Sequence, residues 1–362
     1  MKKIMLFFLL LFSTLSMSAE PPKNWPWKGG NLNFAAPKDS HPLRVNFWAK
    51  KGVNAIQIKL TPRRMAKRMG WSGEKAWQQS LLWADQVLDY CKENGIVGII
   101  TFVQVPIEPG RGLTQQSVEF WESPVLKQKA LSIFGQTVQH FAKRGDELAA
   151  YEFINEPLVR TKSGKMYTPK DWFSYQEKIV AEVRKYDKDR YIVVNAGYGG
   201  ETSAYRNFKP LEDKRLIYGA HVYNPHAFTH QGLHGRDKVY KYPGIISGQL
   251  WNKERLETVL QPLIKFKNEH NVLVWIGEFS SVTWERSSKQ WICDAVELFN
   301  ENGLAWSYWS LVGHYAWNPF FDVTRTKNHD KPLFINRTGM QSRRMKLVED
   351  LFKNGRCTVG YP

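Results

Sequence analysis

The sequence predicts an α/β fold, a (β/α)8 TIM barrel in a single domain. Three observations lead there. Eight short apolar runs rich in β-branched residues recur along the chain, several of them continuous rather than alternating, as strands buried on both faces should be. Amphipathic stretches with helical spacing lie between them. The 362 residues suffice for one such barrel, which takes about 250 residues or more. A doubly wound sheet, the rival, needs a glycine-rich phosphate turn after its first strand. Here Gly29-Gly30-Asn31 precedes the first strand instead.

Taken in order, the chain opens with Met1-Lys2-Lys3, an apolar stretch over 4–15, and small residues at Ser16, Ser18 and Ala19. Charged start, short apolar middle and small-residue exit predict a secretory signal peptide over 1–19, hence a secreted or periplasmic protein. The apolar stretch falls short of the ~20 residues a membrane span needs. No other long uncharged apolar run follows, so no span is expected in the mature chain. The folded domain is then 20–362, and its strands are expected at 31–34, 53–60, 96–105, 148–154, 191–196, 216–223, 272–279 and 304–311. Trp77, Leu81, Ala84, Leu88 and Cys91 step by three or four and stop at Asn94-Gly95, a helix end. Leu126, Ala130, Phe134, Val138 and Phe141 form a second stripe, and Trp172, Tyr175, Ile179, Val183 and Tyr186 a third. Trp291, Ala295 and Leu298 lead to another stop at Asn302-Gly303. The stretch 253–270 has helical pattern but contains Pro262, which predicts a kink or restart.

Composition narrows the function. With 43% hydrophobic residues the chain is not intrinsically disordered. Lys plus Arg number 51 against 34 Asp plus Glu, a formal charge of +17. The basic residues are scattered, however, and runs such as Arg63-Arg64 and Arg343-Arg344 are short and read as solvated faces. No nucleic-acid motif is present, so nucleic acid is not an expected partner. Three cysteines cannot all pair within one chain; Cys91 and Cys293 fall on apolar helix faces and are expected as buried thiols. The fifteen Trp and fifteen Tyr outnumber the 26 glycines, which means a large core or rings along a groove.

Reactive groups of such a barrel sit at the C-terminal ends of its strands. The fourth run closes with Tyr151-Glu152-Phe153-Ile154-Asn155-Glu156-Pro157 and the seventh with Trp275-Ile276-Gly277-Glu278-Phe279. A carboxylate at the mouth of an apolar strand is costly unless paired, so each glutamate alone reads as half of an ion pair. The surroundings reverse that reading. The sixth run ends Ala220-His221-Val222-Tyr223-Asn224-Pro225, with His221 and Tyr223 on one face, and the eighth carries Trp306-Ser307-Tyr308-Trp309. Two carboxylates, a His, a Tyr and a Trp at four strand ends point to paired-carboxylate chemistry. Glu152 shares the parity of Glu156 and is expected as an interior glutamate paired to a neighbour. His226, His230 and Trp284 either reach substrate or pack their loops. No His-Glu-x-x-His and no phosphate loop is present, so no metal and no cofactor is implied.

These motifs resemble glycoside hydrolase family 5, the cellulase-type retaining barrels. Asn155-Glu156-Pro157 is similar to the family's acid/base motif, His221-Val222-Tyr223 to its strand-six His-x-Tyr, and Ile276-Gly277-Glu278-Phe279 to its nucleophile segment. The resemblance spans nearly the whole mature chain, with the motifs in order. It implies a monomeric retaining endo-β-glycosidase acting on a β-1,4-linked polysaccharide or oligosaccharide, foremost a glucan, with a mannanase, a transglycosylase or a non-catalytic glycan-binding barrel as alternatives. It implies Glu156 as general acid then base, and Glu278 as nucleophile. Asn155 would bond the sugar 2-hydroxyl, Tyr223 would orient Glu278, His221 would line the floor and Trp309 would stack on a sugar ring. Asn155 and Glu156 are neighbours, so both face the cavity only if the strand ends there, which Pro157 favours. One departure stands out. Where the family usually carries an Arg, in a Gly-x-Asn-x-x-Arg pattern, this chain reads Gly52-Val53-Asn54-Ala55-Ile56-Gln57, and Gln104 stands at or beside the place of the strand-three His. Lys59 shares the face of Gln57 two residues on, and is expected either to supply the missing positive charge to Glu278 or to reach solvent, with Gln57 and Gln104 adding neutral hydrogen bonds.

Overall fold

A computed structural model of the chain describes residues 19–34, 43–104, 117–233, 235–236, 238–324, 333–336 and 342–358. The expected signal peptide, apart from Ala19, lies outside the described residues. Eight parallel strands close into a barrel in sequential order: β1 (Lys28–Phe34), β2 (Ala55–Leu60), β3 (Val97–Phe102), β4 (Leu148–Glu152), β5 (Tyr191–Val194), β6 (Leu216–Val222), β7 (Leu273–Phe279) and β8 (Ala305–Val312). All eight fall on the apolar runs. Trp27, Ala55, Val97, Ile99, Tyr191, Ile217 and Trp275 fill the interior at its N-terminal end. The alternate residues, such as Ile56, Ile58, Ile100 and Val194, pack outward against the helices.

β1 begins earlier than expected and contains Gly29 and Gly30. A Cβ at Gly29 would stand 2.6 Å from the Ala55 carbonyl oxygen and one at Gly30 2.3 Å from Leu311 Cγ, so both neighbouring strands close in at the glycines.

The helices are α1 (Leu43–Ala49), α2 (Pro62–Met69), α3 (Gly73–Glu93), α4 (Val118–Glu122), α5 (Pro124–Phe141), α6 (Trp172–Tyr186), α7 (His226–Thr229), α8 (Lys253–His270), α9 (Ser288–Glu301) and α10 (Arg343–Asn354). α3 starts where the Ser72 hydroxyl accepts from Lys75 N, and the chain turns away through Gly95 at φ 68°. α8 corrects the expectation of a restart at Pro262: it runs as one helix through the proline. The bond a proline removes is the one to the Thr258 carbonyl, on an exposed turn open to solvent. Leu256, Leu260, Leu263 and Ile264 hold the opposite face in the core.

Two further expectations are corrected. Cys293, on α9, is not a thiol: it is joined to Cys357, 64 residues on, tying α9 to the chain beyond α10. Cys91 is buried and free, and burial pushes its thiol up. Arg344 is not on a solvated face; it is buried and donates to the Ser281 and Val282 carbonyls and to the Tyr308 hydroxyl. The apolar stem and three acceptors explain how it enters the core. Among the described residues no helix is long and apolar enough to cross a membrane.

Candidate active site

Strand parity alone does not deliver Glu278 to the barrel mouth. Trp275 points into the barrel, so simple alternation would send Glu278 outward. The register shows what corrects this. Ile276 pairs with Ala220 and Glu278 with His221, leaving Gly277 as an extra residue. The pairing with β8 skips at the same place. The bulge re-aims Glu278 inward, and the Asn31 side-chain amide pins it by donating to the Gly277 and Tyr308 carbonyls at 3.2 Å. On the other side β4 ends at Glu152, and the irregular chain beyond lets both Asn155 and Glu156 face the mouth, as Pro157 suggested.

Glu278 is 5% exposed, and both its oxygens are engaged. Lys59 Nζ forms an ion pair with Oε1, Asn155 Nδ2 donates to Oε1 at 3.2 Å, and the Tyr223 hydroxyl donates to Oε2 at 2.8 Å. Burial works against the ionised form, but the Lys59 ammonium and His221, with the Lys59 and Tyr223 hydrogen bonds, outweigh it and hold the carboxyl down at about 2. Lys59 is wholly buried, donates to Asn155 Oδ1 at 3.0 Å, and lies 4.6 Å from the centre of the Trp309 ring. It therefore does not reach solvent. The Trp309–Ser310 peptide is cis.

Gln57 and Gln104 do not bond the nucleophile candidate, contrary to expectation. Gln57 sits one layer deeper, where its amide donates to Glu152 Oε2 at 2.9 Å and to Thr101 Oγ1 at 3.1 Å. Glu152 is thus the paired interior glutamate, its carboxyl pushed up by burial. The Gln104 side-chain oxygen accepts from Arg64 N, at α2. Of the loop residues, His226 meets Glu201 at 2.9 Å, Trp284 donates to the Gln231 carbonyl, and His230 packs between the rings of Tyr223 and Trp317. All three hold loops together.

Glu156 has a different setting. Its side chain is 31% exposed. Its one polar contact among the described residues is His221, whose Nδ1 lies 2.9 Å from Oε1. His221 Nε2 is 3.9 Å from Glu278 Oε1. Burial disfavours the imidazolium, yet Glu278 and Glu156 together raise the His221 pKa. Ligating atoms of Glu156, His221 and Glu278 lie within 4.8 Å of one another, a spacing a cation would accept, but the Lys59 ammonium already neutralises Glu278 there. Above them opens a cleft of about 730 Å³. It is lined by Lys59, Asn155, Glu156, Glu278 and Trp309, by Arg64, which the sequence read only as part of a solvated face, and by Arg44, Arg68, Trp317 and Phe321, which the sequence did not single out.

The family model for Cellulase (glycosyl hydrolase family 5) matches residues 20–314. The chain belongs to glycosyl hydrolase family 5. Among family members, Endoglucanase C of Acetivibrio thermocellus is 22% identical over 262 residues, 64% of this chain and 73% of that protein. Among solved structures, the endoglucanase Cel5A of Thermotoga maritima superimposes with a TM-score of 0.62 at 18% identity, over 81% of this chain and 91% of its own. The cellulose synthase subunit Z of Clostridioides difficile gives 0.63 at 16% identity, over 88% and 98%. As a family 5 member the protein is a glycoside hydrolase, a cellulase-type β-glycanase.

Proposed function

We propose that the protein is a secreted, monomeric, retaining endo-β-glycosidase that cleaves a β-1,4-linked glucan, with Glu278 as nucleophile and Glu156 as acid/base. The observation that carries this is the unequal environment of two neighbouring carboxyls. Glu278 is buried, triply engaged and ionised; Glu156 is partly exposed and, among the described residues, meets only His221. Two carboxyls in contrasting environments divide into base and acid. Their approach within 4.8 Å supports direct attack, since inverting enzymes keep about 6.5–9.5 Å between carboxyls to admit a water.

In the first step a Glu278 oxygen bonds the anomeric carbon while the glycosidic C–O bond breaks, and the Glu156 proton passes to the departing oxygen. The product is a glycosyl ester on Glu278. In the second, Glu156 takes a proton from water, the water oxygen bonds the anomeric carbon, and the ester bond to Glu278 breaks. Lys59, Asn155 and Tyr223 favour the carboxylate that returns. Trp309 gives the sugar a flat apolar face, and His221 orients Glu156.

Endoglucanase relatives favour glucan. Cel5A of Thermotoga maritima has been solved with cellobiose and with mannotriose, which keeps mannan as the alternative. Product analysis on carboxymethyl cellulose, mixed-linkage β-glucan, mannan and xylan tests the reading. Short oligosaccharides released early from the glucans support it, and cleavage of mannan alone replaces it with the mannanase.

A further inference from the structure

The cleft above the catalytic carboxyls has two unlike walls. Trp309, Trp317 and Phe321 make one aromatic. Arg44 on α1 and Arg64 and Arg68 on α2 make the other cationic. α2 follows β2 directly, and its eight residues include Arg63, Arg64, Lys67 and Arg68 and no acid. Arg64 and Arg68 are four apart, hence on one helical face. What the sequence scattered, the barrel collects at the mouth.

Among the described lining residues cations outnumber acids. Among the described lining residues the acids are Glu156 and Glu278, and Glu278 is paired with Lys59. Among the described residues neither Arg44 nor Arg64 has a carboxylate partner. Like charges gathered in a concave, partly apolar site focus a positive potential. A neutral glycan, which presents hydroxyls and ring C–H groups, gains nothing from that potential. Guanidinium groups match carboxylate and sulfate oxygens in charge and in forked geometry.

We propose that the substrate is an anionic β-glycan, whose backbone lies on the rings and whose carboxylate or sulfate groups face Arg44 and Arg64. This rests on the glycanase reading and narrows its substrate class.

The test compares three β-1,4-glucans of matched substitution: carboxymethyl cellulose, cellulose sulfate and neutral hydroxyethyl cellulose. Initial rates are taken at about 50 mM and about 500 mM NaCl, across which the screening length falls several-fold. At low salt kcat/KM is expected to be about fivefold or more higher on an anionic polymer than on the neutral one, from about two partly exposed ion pairs. The preference shrinks at high salt, and Arg44→Gln/Arg64→Gln moves the ratio toward one chiefly through KM. The better of the two anionic polymers identifies the group recognised. Equal efficiency on neutral and anionic polymers, without salt dependence, overturns the proposal. If none of the three is cleaved, it is the glucanase reading that fails. Electrophoretic retardation of Glu278→Gln in gels containing each polymer then decides the charge question: stronger retardation by an anionic polymer supports it, and equal or absent retardation overturns it.

Discussion

Glu278 is buried and still ionised, and the groups responsible can be removed one at a time. Lys59→Met keeps the stem and deletes the charge. Since the ammonium lowers the Glu278 pKa toward about 2, its loss raises that pKa. The acidic limb of kcat/KM against pH, which reports ionisation of the nucleophile in free enzyme, then moves to higher pH and turnover falls. An unmoved limb would deny the lysine this role. Glu156→Gln and Glu278→Gln should each lower kcat by about 10²–10⁴-fold or more, with far-ultraviolet circular dichroism unchanged. Near-normal hydrolysis in either would remove its assignment. Lys59 was legible because it lies two residues beyond the position where an arginine is missing. The errors at Gln57 and Gln104 differ in cause: Gln104 lies past the end of β3, where strand parity no longer applies and its side chain accepts from Arg64 N, whereas Gln57 is a matter of depth. Parity fixes the side of a strand, not the layer, and the layer of Gln57 holds Glu152 and Thr101.

Strand and helix positions followed from apolar periodicity, and boundaries moved by only a few residues. Two features did not follow. The bulge at Gly277 depends on what β6 and β8 offer opposite β7, although a glycine just before the carboxylate is a hint of it. The Cys293–Cys357 bridge depends on α9 and the end of the chain meeting in space, which no spacing reports. It closes a long loop, its partners 64 positions apart, and chain entropy assigns such a loop about 4 kcal/mol. Cys357→Ser is therefore expected to lower Tm by about 5 °C, read by calorimetry, with the same loss in wild type under reductant. An unchanged Tm would mean that the bridge adds nothing to stability.

At the scale of the whole molecule, the eight-unit repeat and the four strand-end motifs made the barrel and its catalytic face legible, whereas the cationic wall was not. Its arginines are distributed over two helices and converge only when the barrel closes. The export reading has its own check: mass spectrometry of the protein recovered outside the inner membrane should show a chain beginning near Glu20, and an intact Met1 there would contradict it. The central claim is that Glu278 forms a covalent bond to sugar. An activated 2-deoxy-2-fluoro-β-cellobioside slows release of the glycosyl-enzyme, and peptide mapping by tandem mass spectrometry then locates the ester. The account predicts a single label, carried by Glu278; a label on Glu156 or any other residue would contradict it.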